Sequence, residues 1–111
     1  MNDEELRANS KIFWNAYVEA IHIMTKSLVE NEVLIMAGTD ANVPVAIAGF
    51  SLHDELESLS KIGLSNSQVL YTATVAPSIW MNTNTGMIKE GLDADLILLS
   101  KNPLELSLIH I

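Results

Sequence analysis

The chain has 111 residues, 49% of them hydrophobic, and a mean hydropathy of +0.25, which suits one modest domain with a core and argues against a disordered chain. Fourteen acidic against six basic residues give a formal charge of −8, which argues against a nucleic acid or an anionic membrane as partner, because both need a positive field. Cysteine is absent, so there is no disulfide framework, thiolate zinc site or cysteine nucleophile, and no apolar run approaches the ~20 residues a membrane-spanning helix needs.

From about Asn2 to Asn31 the spacing predicts one amphipathic helix. Asn2 or Asp3 can cap it, and Glu4 and Glu5 suit its positive end. Phe13, Ala16, Tyr17, Ala20, Ile23, Met24 and Leu28 form one apolar face, which Trp14 and Ile21 widen. That width predicts packing on more than one neighbour.

Asn31-Glu32 breaks the pattern before Val33–Ala37, an apolar run that predicts a strand buried on both faces. Gly38, Thr39 and Asp40 follow, and an acidic residue just past such a strand lies where α/β folds put their chemistry. Asp40 is therefore the first candidate catalytic residue. Pro44 and Gly49 mark Ala41–Phe50 as a loop, unusually apolar, and read either as tucked against the body of the domain or as the wall of a pocket.

Ser51 is a candidate N-cap for the next helix, with Asp54 and Glu55 in its first turn, Leu52, Leu56, Leu59 and Ile62 on its buried face, and Gly63 as a left-handed stop. Ser65 and Gln68 have capping-box spacing, and the helix they open should kink or restart near Ala76, ahead of Pro77. Asn82–Gly86 is turn chemistry. Beyond it, Met87-Ile88 and Ala94–Leu99 predict two short strands joined by a turn at Lys89–Asp93.

Three stretches taken together, Ala37–Asn42, Ser51–Pro77 and Gly86–Leu104, resemble the C-terminal end of the amidohydrolase superfamily. The nearest resemblance is to its imidazolonepropionase-like and Xaa-Pro dipeptidase-like branch. It implies an α/β fold: a C-terminal fragment of a (β/α)8 barrel, with the last helix-strand-helix unit in residues 1–82 and returning strands of a small β-sandwich in 83–105. Residues 106–111 depart from the pattern and are expected to be a non-native tail; His110 in it would have no function.

By position in that family, Asp40 would be both a metal ligand and the proton-carrying catalytic carboxylate. The implied cofactor is a divalent metal, zinc by the family's habit, as one or two ions in a full-length parent. The implied reaction is hydrolysis of a C–N bond in a small amide, cyclic amide or peptide substrate.

The family's other ligands, a His-x-His pair, two further histidines and often a mid-barrel lysine or glutamate, have no counterpart here. The chain's histidines are His22, His53 and His110. His22 falls outside the main helical stripe and reads as a solvated or half-buried helical residue. His53 is either a substrate contact or a first-turn surface histidine. Zinc needs about three protein ligands for catalysis, so the chain alone is expected to be inactive. The alternative reading is a stand-alone, non-catalytic interaction module, in which unpaired strand edges drive self-association.

Overall fold

The computed structural model describes residues 3–104 except Asn42 and Val45, and only the backbone of Asp3. The expected cap at Asn2, and the tail 106–111 with His110, lie outside the described residues. The chain divides into two units, residues 1–33 and 34–111.

The first unit is helix α1, Asp3–Glu30. Its end is set by hydrogen bonding: Glu32 turns left-handed (φ 56°), its N–H donates to the Val29 carbonyl, and the Val33 N–H reaches back to Leu28, each at 3.0 Å. This paired closure satisfies two last-turn carbonyls, with Glu32 at the position glycine usually takes. Phe13, Trp14 and Tyr17 form a local aromatic cluster with ring centroids 5.5–6.3 Å apart. Among the described residues of the first unit itself, no other element covers these rings, nor Ile21, Ile23, Met24 and Leu28 of the same helix.

The second unit is built on α2 (Ser51–Ile62), α3 (Asn66–Ala73) and α4 (Val75–Met81). Leu56 and Leu59 of α2, Leu64 of the connection, Val69 of α3 and Ala76 of α4 form its core. Gly63 ends α2 at φ 112°, a conformation open to glycine at little cost, and Leu64 then donates back to the Leu59 carbonyl. At the start of α3 the Ser65 hydroxyl accepts from the Gln68 N–H while the Gln68 side chain accepts from the Ser65 N–H, the expected capping box. The entry to α2 differs from expectation. Phe50, already helical in conformation, precedes it, and the Ser51 hydroxyl accepts from the Ile47 N–H at 2.7 Å instead of capping the helix.

The break between α3 and α4 falls at Thr74, three residues before Pro77. Pro77 has no N–H for the Ala73 carbonyl, so a continuous helix would lose that bond. The last-turn carbonyls of α3 find other donors: the Thr74 hydroxyl serves Leu70 (2.7 Å) and the Thr74 N–H serves Tyr71 (3.3 Å). Thr72 is served by the N–H of Ala37, 35 residues earlier, at 3.0 Å.

The expected α/β architecture is overturned, because the described residues form helices and contain no strand. Val33–Ala37 is in neither helix nor strand, and its Ala37 N–H bonds a helix end and not a neighbouring strand. Met87-Ile88 and Ala94–Leu99 are likewise outside any ladder, and the β-sandwich pair does not form. The physical reason is that an extended segment has no hydrogen bonds of its own; it becomes a strand only against a partner. Ile88, Ile97 and Leu98 are accordingly almost wholly exposed.

Beyond α4 a turn docks on that helix. Asn82 stops α4 in the left-handed region (φ 52°). The buried Ser78 hydroxyl lies 3.0 Å from the Thr83 carbonyl and 2.9 Å from that of Thr85, its one hydrogen shared between them. Asn84 bridges the rest, its amide donating to Gly91 at 2.9 Å and its carbonyl accepting from the Asp93 N–H at 2.8 Å. Near the far end, the Asn66 amide donates to the Leu104 carbonyl at 2.9 Å.

Candidate functional site

Asp40 follows the irregular segment 34–39 and makes the turn after it. Its φ is 48°, a left-handed conformation that aspartate tolerates better than most residues, and its carbonyl accepts from the Val43 N–H at 3.1 Å. The residue is exposed. Gly38 does not take a left-handed φ, so the turn here is made by the aspartate itself.

Two bonds hold the backbone leading to Asp40. The Ala37 N–H is taken by the Thr72 carbonyl, and the Gly38 N–H is taken by Oε1 of Glu55 at 3.1 Å. Beside this contact lies an open cleft of about 310 Å³, lined by Thr39, Val43, Pro44, Ala46, Ser51, Asp54, Glu55 and Ser58. Three residues of the apolar loop thus form one wall, and the first turns of α2 form the other.

The sequence marks Glu55 only as a favourable charge in the first turn of a helix. Its contact with an amide 17 positions earlier has no sequence signal. A side chain that leaves its own helix to serve another segment produces no periodicity, so no pattern announces it.

His53 is half-buried in the first turn of α2. Its Nδ1 is enclosed and has no hydrogen-bond partner among the described residues. An enclosed nitrogen without a partner costs about 1–3 kcal/mol. Replacement by leucine, His53→Leu, is therefore expected to raise the thermal midpoint by roughly 4–8 °C, about 1 kcal/mol for a domain of this size. A midpoint that falls in a thermal melt would mean that Nδ1 is satisfied in solution. His22 is exposed on α1.

The described residues alone do not fit a catalytic divalent metal. No group of three histidine, aspartate or glutamate side chains among them comes together in a way that could hold one. Catalytic zinc takes about three protein ligands, and Asp40 is a single carboxylate. No helix among the described residues is long and apolar enough to cross a membrane.

No curated protein and no solved structure matches the chain. The Amidohydrolase family matches residues 10–109, a span that takes in the Asp40 turn, the cleft, α2 to α4 and the docked turn. The chain therefore belongs to the amidohydrolase family.

Proposed function

We propose that this chain is the Asp40-bearing part of a metal-dependent amidohydrolase that hydrolyses a C–N bond in an amide, cyclic amide or peptide. The branch we favour is the imidazolonepropionase-like or Xaa-Pro dipeptidase-like one, and the metal we favour is zinc. The observation that carries this reading is the family match over residues 10–109, which includes Asp40. In this reading Asp40 supplies one ligand carboxylate, and the remaining ligands come from outside the described residues. The chain by itself is then not a catalyst.

Metal analysis tests this directly. After equilibration with zinc and dialysis, the purified chain should retain far less than one ion per molecule, and a chelator should leave its thermal midpoint unchanged, since nothing bound is removed. One tightly held zinc per chain would overturn the inactive reading. The role of Asp40 is tested in any longer in-frame product of the encoding DNA. There Asp40→Asn should lower kcat by about 10²–10⁴-fold if the carboxylate carries a proton in the reaction.

A second reading, a non-catalytic interaction module, is favoured by the exposed apolar residues Ile88, Leu96, Ile97 and Leu98. The DNA upstream of Met1 separates the two. An open frame encoding a His-x-His pair supports the enzyme, whereas a stop codon and ribosome-binding signal directly upstream support the module.

A further inference from the structure

We propose that Glu55 is a positioning residue for Asp40: its carboxylate holds the Gly38 N–H and so fixes the backbone that presents the aspartate. This rests on the assignment of Asp40 as the functional carboxylate.

The Ala37 N–H goes to the C-terminal end of α3, at the Thr72 carbonyl, and the next one, on Gly38, goes to the N-terminal end of α2, at Glu55 Oε1. Two consecutive residues are thus pinned from two helices. Glu55 is well placed to act as an anchor, because the adjacent Leu56 is buried in the core and holds α2 in position.

The chain also needs an anchor at this point. Glycine has the largest backbone freedom of any residue, and a Cβ added at Gly38 would meet nothing within 4 Å, so no steric wall restrains it. Two residues later Asp40 takes a φ of 48°, a left-handed conformation that costs more in aspartate than in glycine, and a fixed approach to it favours that turn over the alternatives open to a free chain. A charge-assisted bond from a carboxylate to the Gly38 amide is a stronger restraint than a neutral one. A carboxylate serving only the positive end of its own helix would have no reason to engage Gly38.

The test uses the full chain, isotope-labelled for NMR, as wild type, Glu55→Gln and Glu55→Ala. The readouts are hydrogen exchange of the Gly38 amide and backbone order parameters from Gly38 to Asp40, with the Leu59 amide of α2 as a control for folding. In the wild type the Gly38 amide should exchange at least about tenfold more slowly than an open amide, and Glu55→Ala should remove most of that protection while Leu59 stays protected. Order parameters at Gly38–Asp40 should fall from about 0.85 to below about 0.6 in the same variant. Glu55→Gln keeps an acceptor oxygen, so it should retain part of the protection and move the Gly38 amide proton upfield as the charge is lost.

Unchanged Gly38 exchange in the folded variants overturns the proposal. So does a loss of protection in α2 with no added loss at Gly38, which is what a helix-charge role alone would give. If Glu55→Ala fails to fold, the comparison of wild type with Glu55→Gln decides by the same criteria. Neither readout involves metal or turnover. A negative result therefore removes the anchor without touching the Asp40 assignment, and failure of Asp40→Asn to affect turnover removes that assignment without touching the anchor.

Discussion

Replacing Gly86 with valine should lower the thermal midpoint by roughly 10–20 °C, corresponding to about 3 kcal/mol for a domain of this size. Two penalties add. Gly86 has a φ of 89°, which a β-branched residue adopts only under strain, and a Cβ there would stand 2.6 Å from the Thr74 carbonyl oxygen and 3.0 Å from Ser78 Cβ. The neighbouring atoms cannot yield easily. Thr74 is the junction of α3 and α4, and Ser78 is the residue whose hydroxyl holds the docked turn. The valine must therefore push the turn off α4 or distort the helix junction. A circular-dichroism melt measures the result, and a midpoint within about 2 °C of wild type would show that the turn can shift away at little cost.

Burying a charge at Val69 should have a still larger effect. Val69 is fully buried, with 0% of its surface exposed, and it lies in α3 at the centre of the second unit's core. In Val69→Asp a carboxylate would replace an apolar side chain inside that core. The penalty is several kcal/mol, or an aspartate forced to stay protonated. Domains have only about 0.05–0.15 kcal/mol of stability per residue, so this cost consumes much or all of what holds α2 to α4 together. The expected result is loss of the cooperative melt and of dispersed methyl signals, with Val69→Ala as a milder control costing about 2 kcal/mol. A Val69→Asp chain that melts like the wild type would mean that this core is not what holds the unit.

The helical part of the fold is legible in the sequence because its signals are local. The left-handed stop at Gly63 and the capping box at Ser65 and Gln68 depend only on residues within a turn of one another. The restart ahead of Pro77 follows from a missing N–H, although the break itself settles at Thr74. The expected strands fail for the opposite reason. An apolar run such as Val33–Ala37 or Ala94–Leu99 states a preference for burial and extension. Whether it becomes a strand depends on a partner elsewhere, and among the described residues none is supplied. The same division holds at the candidate site. The place of Asp40 at the end of an apolar run can be read from order along the chain. The contacts of Gly38 with Glu55 and of Ala37 with Thr72 join positions 17 and 35 residues apart, and nothing local announces either.

The attachment of Ala37–Asp40 has a consequence for how the second unit opens. Helices α2 to α4 are close in sequence and each contributes to the core of Leu56, Leu59, Leu64, Val69 and Ala76, so they form a cooperative block that closes loops of small entropic cost. The Ala37–Asp40 stretch joins that block through two long-range hydrogen bonds, from the Ala37 N–H to the Thr72 carbonyl and from the Gly38 N–H to the Glu55 side chain. Such a stretch belongs to the low end of the stability scale within a protein, where opening costs far less than unfolding the whole. Its release requires only those two bonds to break while α2 to α4 stay folded, so how firmly Asp40 is presented is set separately from how stable the helices are.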